Sequence, residues 1–229
     1  MEFAERYQER AAALPGAVLW TRTADGEPFR VLPDGCMDLL WVEGELLVAG
    51  PDRRGWIGSA EPGVRYAGLR FAPGTAPGLL GVPAREVVDL RLPLADIWSP
   101  RRSRRLADRI GTAADPALAL EEVAGALFDA VPDRLVSQVL RGVRRGVAVP
   151  ALARGVGLSE RQLYRRCLDA FGYGPKMLDR VLRLNLALDR ARAGLSFAEV
   201  AARTGYADQA HFTRDVKALT GVPPKILLA

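Results

Sequence analysis

Histidine occurs once in this 229-residue chain, cysteine twice and lysine three times. A lone His211 and two well-separated cysteines, Cys36 and Cys167, make no conventional zinc set, so no metal or other cofactor is expected. Two cysteines are also too few for a disulfide framework and fit a reduced, cytosolic protein. Cys36 has no histidine nearby in sequence to activate it, and neither a Gly-rich phosphate loop nor a Gly-x-Ser-x-Gly elbow is present. The chain is therefore not expected to be an enzyme. Long apolar runs are missing too: the longest uncharged stretch, Phe71 to Ala84, carries three prolines and three glycines and cannot span a bilayer. The start, Met1-Glu2-Phe3-Ala4-Glu5-Arg6, lacks the basic and apolar segments of a signal peptide, so the expected location is cytoplasmic.

What is present is an ordinary globular balance, with 49% hydrophobic and 26% charged residues, in a length suited to one large domain or two small ones. The net charge of +5 hides two opposite halves. Residues 134 to 229 hold 17 basic and 7 acidic residues, whereas residues 1 to 133 hold 15 and 20. A basic half joined to an acidic one suggests a polyanion-binding module attached to something else. Arginine supplies 29 of the 32 basic residues, which favours forked contacts to phosphate and guanine.

Residues 1 to 14 read as a short amphipathic helix. From Ala17 to about Arg91, short apolar runs alternate with turns such as Pro33-Asp34-Gly35, Glu43-Gly44 and Pro73-Gly74, the pattern of a small β-sandwich or partial barrel. Residues 37 to 42 and 45 to 49 flank a two-residue connection and predict a hairpin. Beyond Pro93 the pattern turns helical, with segments near 100 to 111, 116 to 130 and 133 to 145. Pro132-Asp133 marks the boundary, giving domains 1–132 and 133–229 and an α+β fold class.

The C-terminal third contains a degenerate repeat. Ala153-Arg154-Gly155-Val156-Gly157 aligns with Ala201-Ala202-Arg203-Thr204-Gly205, and Leu163, Arg165, Gly172, Pro175 and Lys176 align with Phe212, Arg214, Gly221, Pro224 and Lys225. Each copy reads as helix, Gly-containing turn, helix. Ser159 with Gln162, and Ser196 with Glu199, have the spacing of capping boxes. Pro175 opens and Gly194 closes a periodic segment that predicts one linking helix. A helix-turn-helix lays its second helix in the major groove, so two copies about one duplex turn apart, roughly 34 Å, can do the work of a dimer.

Residues from about 133 to 229 resemble the DNA-binding domain of the AraC/XylS family of bacterial transcription regulators. The resemblance is carried by Leu158-Ser159-Glu160-Arg161-Gln162-Leu163-Tyr164-Arg165-Arg166, Phe171-Gly172-Tyr173-Gly174-Pro175, Gly205-Tyr206-Ala207-Asp208-Gln209-Ala210-His211-Phe212-Thr213-Arg214 and Leu219-Thr220-Gly221-Val222-Pro223-Pro224. Cys167 and Val216 depart from it, standing where the family usually has phenylalanine. The resemblance implies that Arg161, Tyr164, Arg165, Gln209, His211, Thr213 and Arg214 face bases. Arginine can clamp guanine and glutamine can pair with adenine. Arg166, Arg180, Arg183, Arg203, Lys217 and Lys225 are better suited to phosphates. Promoter or operator DNA is the implied partner, with RNA polymerase and a second copy of the chain as further candidates.

In that family the other domain usually senses a small molecule or mediates dimerisation, often through a cupin-like β-barrel. Residues 17 to 92 resemble a compact variant of it, through Leu32-Pro33-Asp34-Gly35-Cys36-Met37-Asp38-Leu39, Gly68-Leu69-Arg70-Phe71-Ala72-Pro73-Gly74 and Leu80-Gly81-Val82-Pro83-Ala84. Trp20, Trp41, Trp56 and Phe71 could supply apolar walls of an effector pocket, with Asp38 and Arg70 orienting a polar group; the same aromatics could equally be core. Two readings therefore stand: a ligand-responsive regulator, and a DNA-tethered protein-interaction module that binds no small molecule.

Overall fold

Alternation of buried and half-exposed residues, strict in Met37–Val42 and partial in Ala17–Thr23, marks the central strands of the N-terminal half. Our computed structural model describes residues 7–58, 61–127 and 133–228. Strands β1 (Tyr7–Ala11), β2 (Ala17–Thr23), β4 (Met37–Val42), β5 (Glu45–Ala49), β7 (Arg65–Phe71) and β8 (Arg91–Pro93) form one antiparallel sheet in the order β1-β2-β7-β4-β5-β8. The short strands β3 (Phe29–Val31) and β6 (Trp56–Gly58) make a separate ribbon. The β4–β5 hairpin has the expected bounds. Its two turn residues, Glu43 and Gly44, both take positive φ (47° and 88°), the signature of the tight turn that matches strand twist.

One expectation needs correcting. Residues 7 to 11 belong to an edge strand, not to a helix, and pair with β2 from Tyr7↔Arg22 to Ala11↔Val18; residues 1 to 6 of the expected helix lie outside the described residues.

The face of the sheet carrying Leu19, Leu39, Trp41, Val48, Leu69 and Phe71 is covered by α2 (Pro100–Gly111) and α3 (Pro116–Leu127), which follow the short α1 (Ala76–Leu80). Trp41 donates its indole N–H to the Ala107 carbonyl at 3.2 Å, tying β4 to α2. The helical half follows as α4 (Arg134–Arg144), α5 (Val149–Gly155), α6 (Glu160–Phe171), α7 (Pro175–Arg192), α8 (Phe197–Thr204), α9 (Gln209–Thr220) and α10 (Pro224–Leu227). Asp133 caps α4, its carboxylate accepting from the Leu135 and Val136 amides. Two cores lie here, one around Leu163, Cys167, Phe171 and Val181 and the other around Leu188, Val200, Phe212 and Val216. Cys167 and Val216, the two departures from the family pattern, are both fully buried. Burial alone pushes the Cys167 thiol up to about 12, so it behaves as a small hydrophobe.

The two halves meet along both cores. Arg30 donates to the Thr220 carbonyl at 2.6 Å, the Gly55 amide to the Leu219 carbonyl at 2.6 Å, and the Asn185 side chain to the Pro33 carbonyl at 2.9 Å. Arg85 pairs with Asp169, and Gly172 is packed so closely on Pro51 and Val88 that a Cβ there would clash.

Candidate nucleic-acid interface and sensor face

Each helix-turn-helix is set by local chemistry. Ser159 accepts from the Gln162 amide while the Gln162 side chain accepts from the Ser159 amide, a reciprocal cap that fixes where α6 begins. Ser196 and Glu199 do the same for α8. Asp208 caps α9 by accepting from the His211 amide at 2.6 Å. The left-handed turns fall at Gly157 and Gly205 (φ 70° and 79°), a conformation glycine adopts without a Cβ penalty.

With Leu163, Cys167 and Phe171 turned inward, the helical period leaves Arg161, Tyr164 and Arg165 exposed on the first turns of α6. On α9, Phe212, Val216 and Leu219 go inward. Gln209 and Arg214 are exposed and His211 and Thr213 half-exposed. Tyr164 lies along the backbone at Gly174, where a Cβ would fall 2.3 Å from its ring. The His211 Nδ1 accepts from the Ala207 amide at 3.3 Å and its ring stands edge-on to Tyr206, which selects the tautomer protonated on Nε2.

The six phosphate candidates divide. Arg203, Lys217 and Lys225 are exposed and, among the described residues, take part in no ion pair. The other three have partners within the protein. Arg166 reaches Asp133 at 3.2 Å. Arg180 donates through Nε to the buried Asp215 at 2.5 Å, and Tyr206 adds its hydroxyl to the same carboxylate at 3.3 Å. Arg183 stacks on Tyr206 at 4.8 Å and donates to the Gly205 carbonyl at 3.3 Å. Arg180 and Arg183 thus fasten the second motif to the linking helix, a role that sequence spacing did not disclose because the partners lie 35 and 22 residues away.

Between the motifs an open cleft of about 1450 Å³ runs along α7, with Arg144, Lys176, Arg180, Arg183 and Arg203 among its lining. Asp34, Cys36 and Pro73 of the N-terminal half reach its edge.

On the sheet, strand register decides which side chains share a face, because directly paired residues of antiparallel strands project together. One row runs Ala11, Val18, Arg70, Asp38, Ala49, Arg91. The next runs Glu9, Trp20, Gly68, Leu40, Leu47, Pro93. Both rows lie opposite the helix-covered core. Trp20, Asp38 and Arg70 therefore come together as expected: the Trp20 indole donates to Asp38 at 2.7 Å, and Arg70 Nε sits 3.4 Å from both Asp34 and Asp38. Trp56 reaches the far end of the row, where Arg91 lies over its ring at 4.6 Å. Trp41 and Phe71 do not belong to this face. Their strand positions have the opposite parity, and both are buried in the core beneath the helices.

Gly68 makes the open face possible. A Cβ there would lie 2.1 Å from the Trp20 ring, so only glycine lets the indole lie flat across β7. Tyr7 stacks on the outer side of Trp20 at 6.0 Å. Burial pushes the Asp38 carboxyl up to about 6, against the opposing pull of Arg70. Asp34 also belongs to the segment touching the helical half, since Pro33 accepts from Asn185 of α7 and Gly35 lies against the Tyr173 hydroxyl.

Comparison with known families matches residues 152–229 to a helix-turn-helix domain and residues 17–93 to a domain of unknown function (DUF6597). No curated protein matches the chain. Among solved structures, an apo ToxT variant from Vibrio cholerae is 11% identical, with a TM-score of 0.51 over 95% of this chain and 98% of that chain. Wild-type ToxT solved with an unsaturated fatty acid bound is 10% identical, with a TM-score of 0.49 over 100% of this chain and 96% of that one. The first likeness shows a shared fold, an N-terminal β domain followed by a helical domain.

Proposed function

We propose that the chain, whose residues 152–229 match a helix-turn-helix domain, is a DNA-binding transcription regulator of the AraC type in which α6 and α9 enter successive major grooves on one face of the duplex. In this reading Arg161, Tyr164 and Arg165 address bases from α6, and Gln209, His211, Thr213 and Arg214 do so from α9. Arg203, Lys217 and Lys225 meet phosphates, while Arg180 and Arg183 hold α9 in place. The observation that carries the reading is the unbroken 18-residue α7 between two capped motifs. At 1.5 Å per residue it spans about 27 Å, the scale of one duplex turn. Hydroxyl-radical footprinting on a duplex selected from a random library should show two protected patches one helical turn apart; protection of a single groove would overturn the reading.

The half-exposed face of the sheet supports a sensor role for the N-terminal unit, residues 1–132, appended to the reader, residues 133–229. A small molecule with a flat apolar portion would lie against Trp20, Leu40 and Leu47 and place a polar group by Arg70 and Asp38. Asp34 is the link to DNA. A ligand that takes Arg70 from Asp34 would loosen the Pro33–Cys36 segment where it meets α7. A thermal-shift screen of the full chain tests this, because a ligand of the native state raises its melting temperature; a Gly68→Ala chain should lose that response. The reading makes the protein a cytoplasmic regulator and not a catalyst, with RNA polymerase and a second copy of the chain as its candidate protein partners.

A further inference from the structure

Helix α2 breaks two local rules at once. It carries Arg101, Arg102, Arg104, Arg105 and Arg109, all exposed, with no acidic residue in its first turn. Cations near a helix N-terminus oppose the macrodipole. Like charges three or four apart, as in Arg101 with Arg104 and Arg105, and Arg105 with Arg109, repel. Elsewhere in this half arginines are commonly matched to carboxylates: Arg10 to Glu121, Arg53 to Asp89, Arg70 to Asp34 and Asp38, Arg91 to Asp52. Among the described residues, none of the five arginines of α2 forms an ion pair; Arg102 alone leans on the Trp98 ring. A sequence that departs from local preference in this way marks a functional surface.

We propose that the exposed face of α2 is a second docking surface for the DNA backbone, lying on the sensor half of the molecule. Charge complementarity selects that partner. Residues 1 to 133 without α2 carry 10 basic and 19 acidic residues, a net of −9, so this helix is where a polyanion can approach the half without strong repulsion. From Arg101 to Arg109 the helix advances about 12 Å. Duplex DNA presents a negative charge every ~1.7 Å, so some seven lie within that reach. The mount is rigid. Ser103, Ala107 and Ile110 anchor α2 in the core, while Arg30 and Gly55 tie the N-terminal half to the end of α9, Asn185 ties it to α7 and Arg85 ties it to α6 through Asp169. A duplex held by α6 and α9 and long enough to reach this patch would meet it at raised effective concentration.

The test compares the full chain with the variant Arg101→Gln, Arg104→Gln, Arg105→Gln and Arg109→Gln on mixed-sequence duplexes of ~24 and ~60 base pairs, a span of about two and about six turns. Affinity is followed by anisotropy as salt is raised. On the long duplex the variant's log–log salt slope should be shallower by about 0.9 for each phosphate that the helix no longer neutralises, while on the short one the two proteins should agree more closely. A second variant with lysine at the same four positions keeps the charge and should restore the slope. Melting temperature checks the fold, and relief of repulsion should leave it unchanged or raised. Equal slopes for wild type and the glutamine variant on the long duplex would overturn the proposal. If wild type bound neither duplex, the DNA-reading assignment would fall, not this one alone.

Discussion

The pair Arg180–Asp215 makes opposite predictions depending on what Arg180 is for. Asp215 is buried, its side chain 7% exposed, whereas Arg180 is 37% exposed. Removing one partner of a buried pair costs about 3 to 5 kcal/mol when both ions are enclosed. Solvent around Arg180 lowers the expected loss to ~2 kcal/mol for Arg180→Met. For a chain of this length that is a fall of roughly 4 to 8 °C in melting temperature. Asp215→Asn should cost ~1 to 2 kcal/mol, since Tyr206 and Arg180 retain a hydrogen-bonding partner in the amide. The double variant should cost less than the two singles together, with a coupling of ~1 kcal/mol. DNA binding supplies the sign. If Arg180 braces α9, Asp215→Asn loosens the reading helix and weakens binding to the selected duplex. If Arg180 instead contacts phosphate, the same change frees the guanidinium and strengthens binding. Calorimetry of the four chains and anisotropy titrations at two salt concentrations decide between them. Additive losses, or tighter DNA binding by Asp215→Asn, would refute the brace.

Arg165→Ala and Gln209→Ala should each cost ~1 to 3 kcal/mol on the selected duplex and little on random DNA, as bidentate base contacts do. Lys217→Ala should weaken both alike and lower the salt slope by about 0.9, which a salt series on the two duplexes would check. Gly68→Ala drives a methyl into the Trp20 ring and should destabilise the fold by ~1 to 3 kcal/mol, with a red shift in tryptophan emission as the indole leaves Asp38. Because the folded Asp38 carboxyl titrates near 6, above its unfolded value, its favourable contribution is complete below about pH 4 and is lost as pH rises through 6. Melting curves from pH 4 to 7 should show Asp38→Asn gaining on wild type over that window; a parallel pair of curves would contradict the assignment.

How much of this was legible from residues alone follows the range of the interactions. The caps at Ser159 and Ser196, the Glu43-Gly44 turn and the Pro175-to-Gly194 helix are decided within a few residues, and the expectations met the structure there. Strand β1 escapes such a reading because it is an edge strand with all five residues exposed; with no buried face it shows no period of two, and only its partner β2 makes it a strand. The two aromatics that fall outside the face shared by Trp20, Asp38 and Arg70 carried a readable signal. Asp38 and Trp41 are an odd number apart on β4, as are Arg70 and Phe71 on β7, so neither pair can share a face. The pairing of Arg180 with Asp215 had no such signal, because it depends on how two helices pack.

The unbroken α7, clamped at its middle by Pro33 and at α9 by Arg30 and Gly55, also constrains the promoters such a protein can serve. One base pair inserted between the two half-sites moves the second by about 3.4 Å and turns it by roughly 35° about the duplex. A helix without a hinge cannot follow that rotation. Point changes in an operator would each cost a modest share of affinity and could accumulate gradually, whereas single-base insertions would remove a site at one step. Operators for this regulator should therefore drift in sequence over evolutionary time while their internal spacing stays the same.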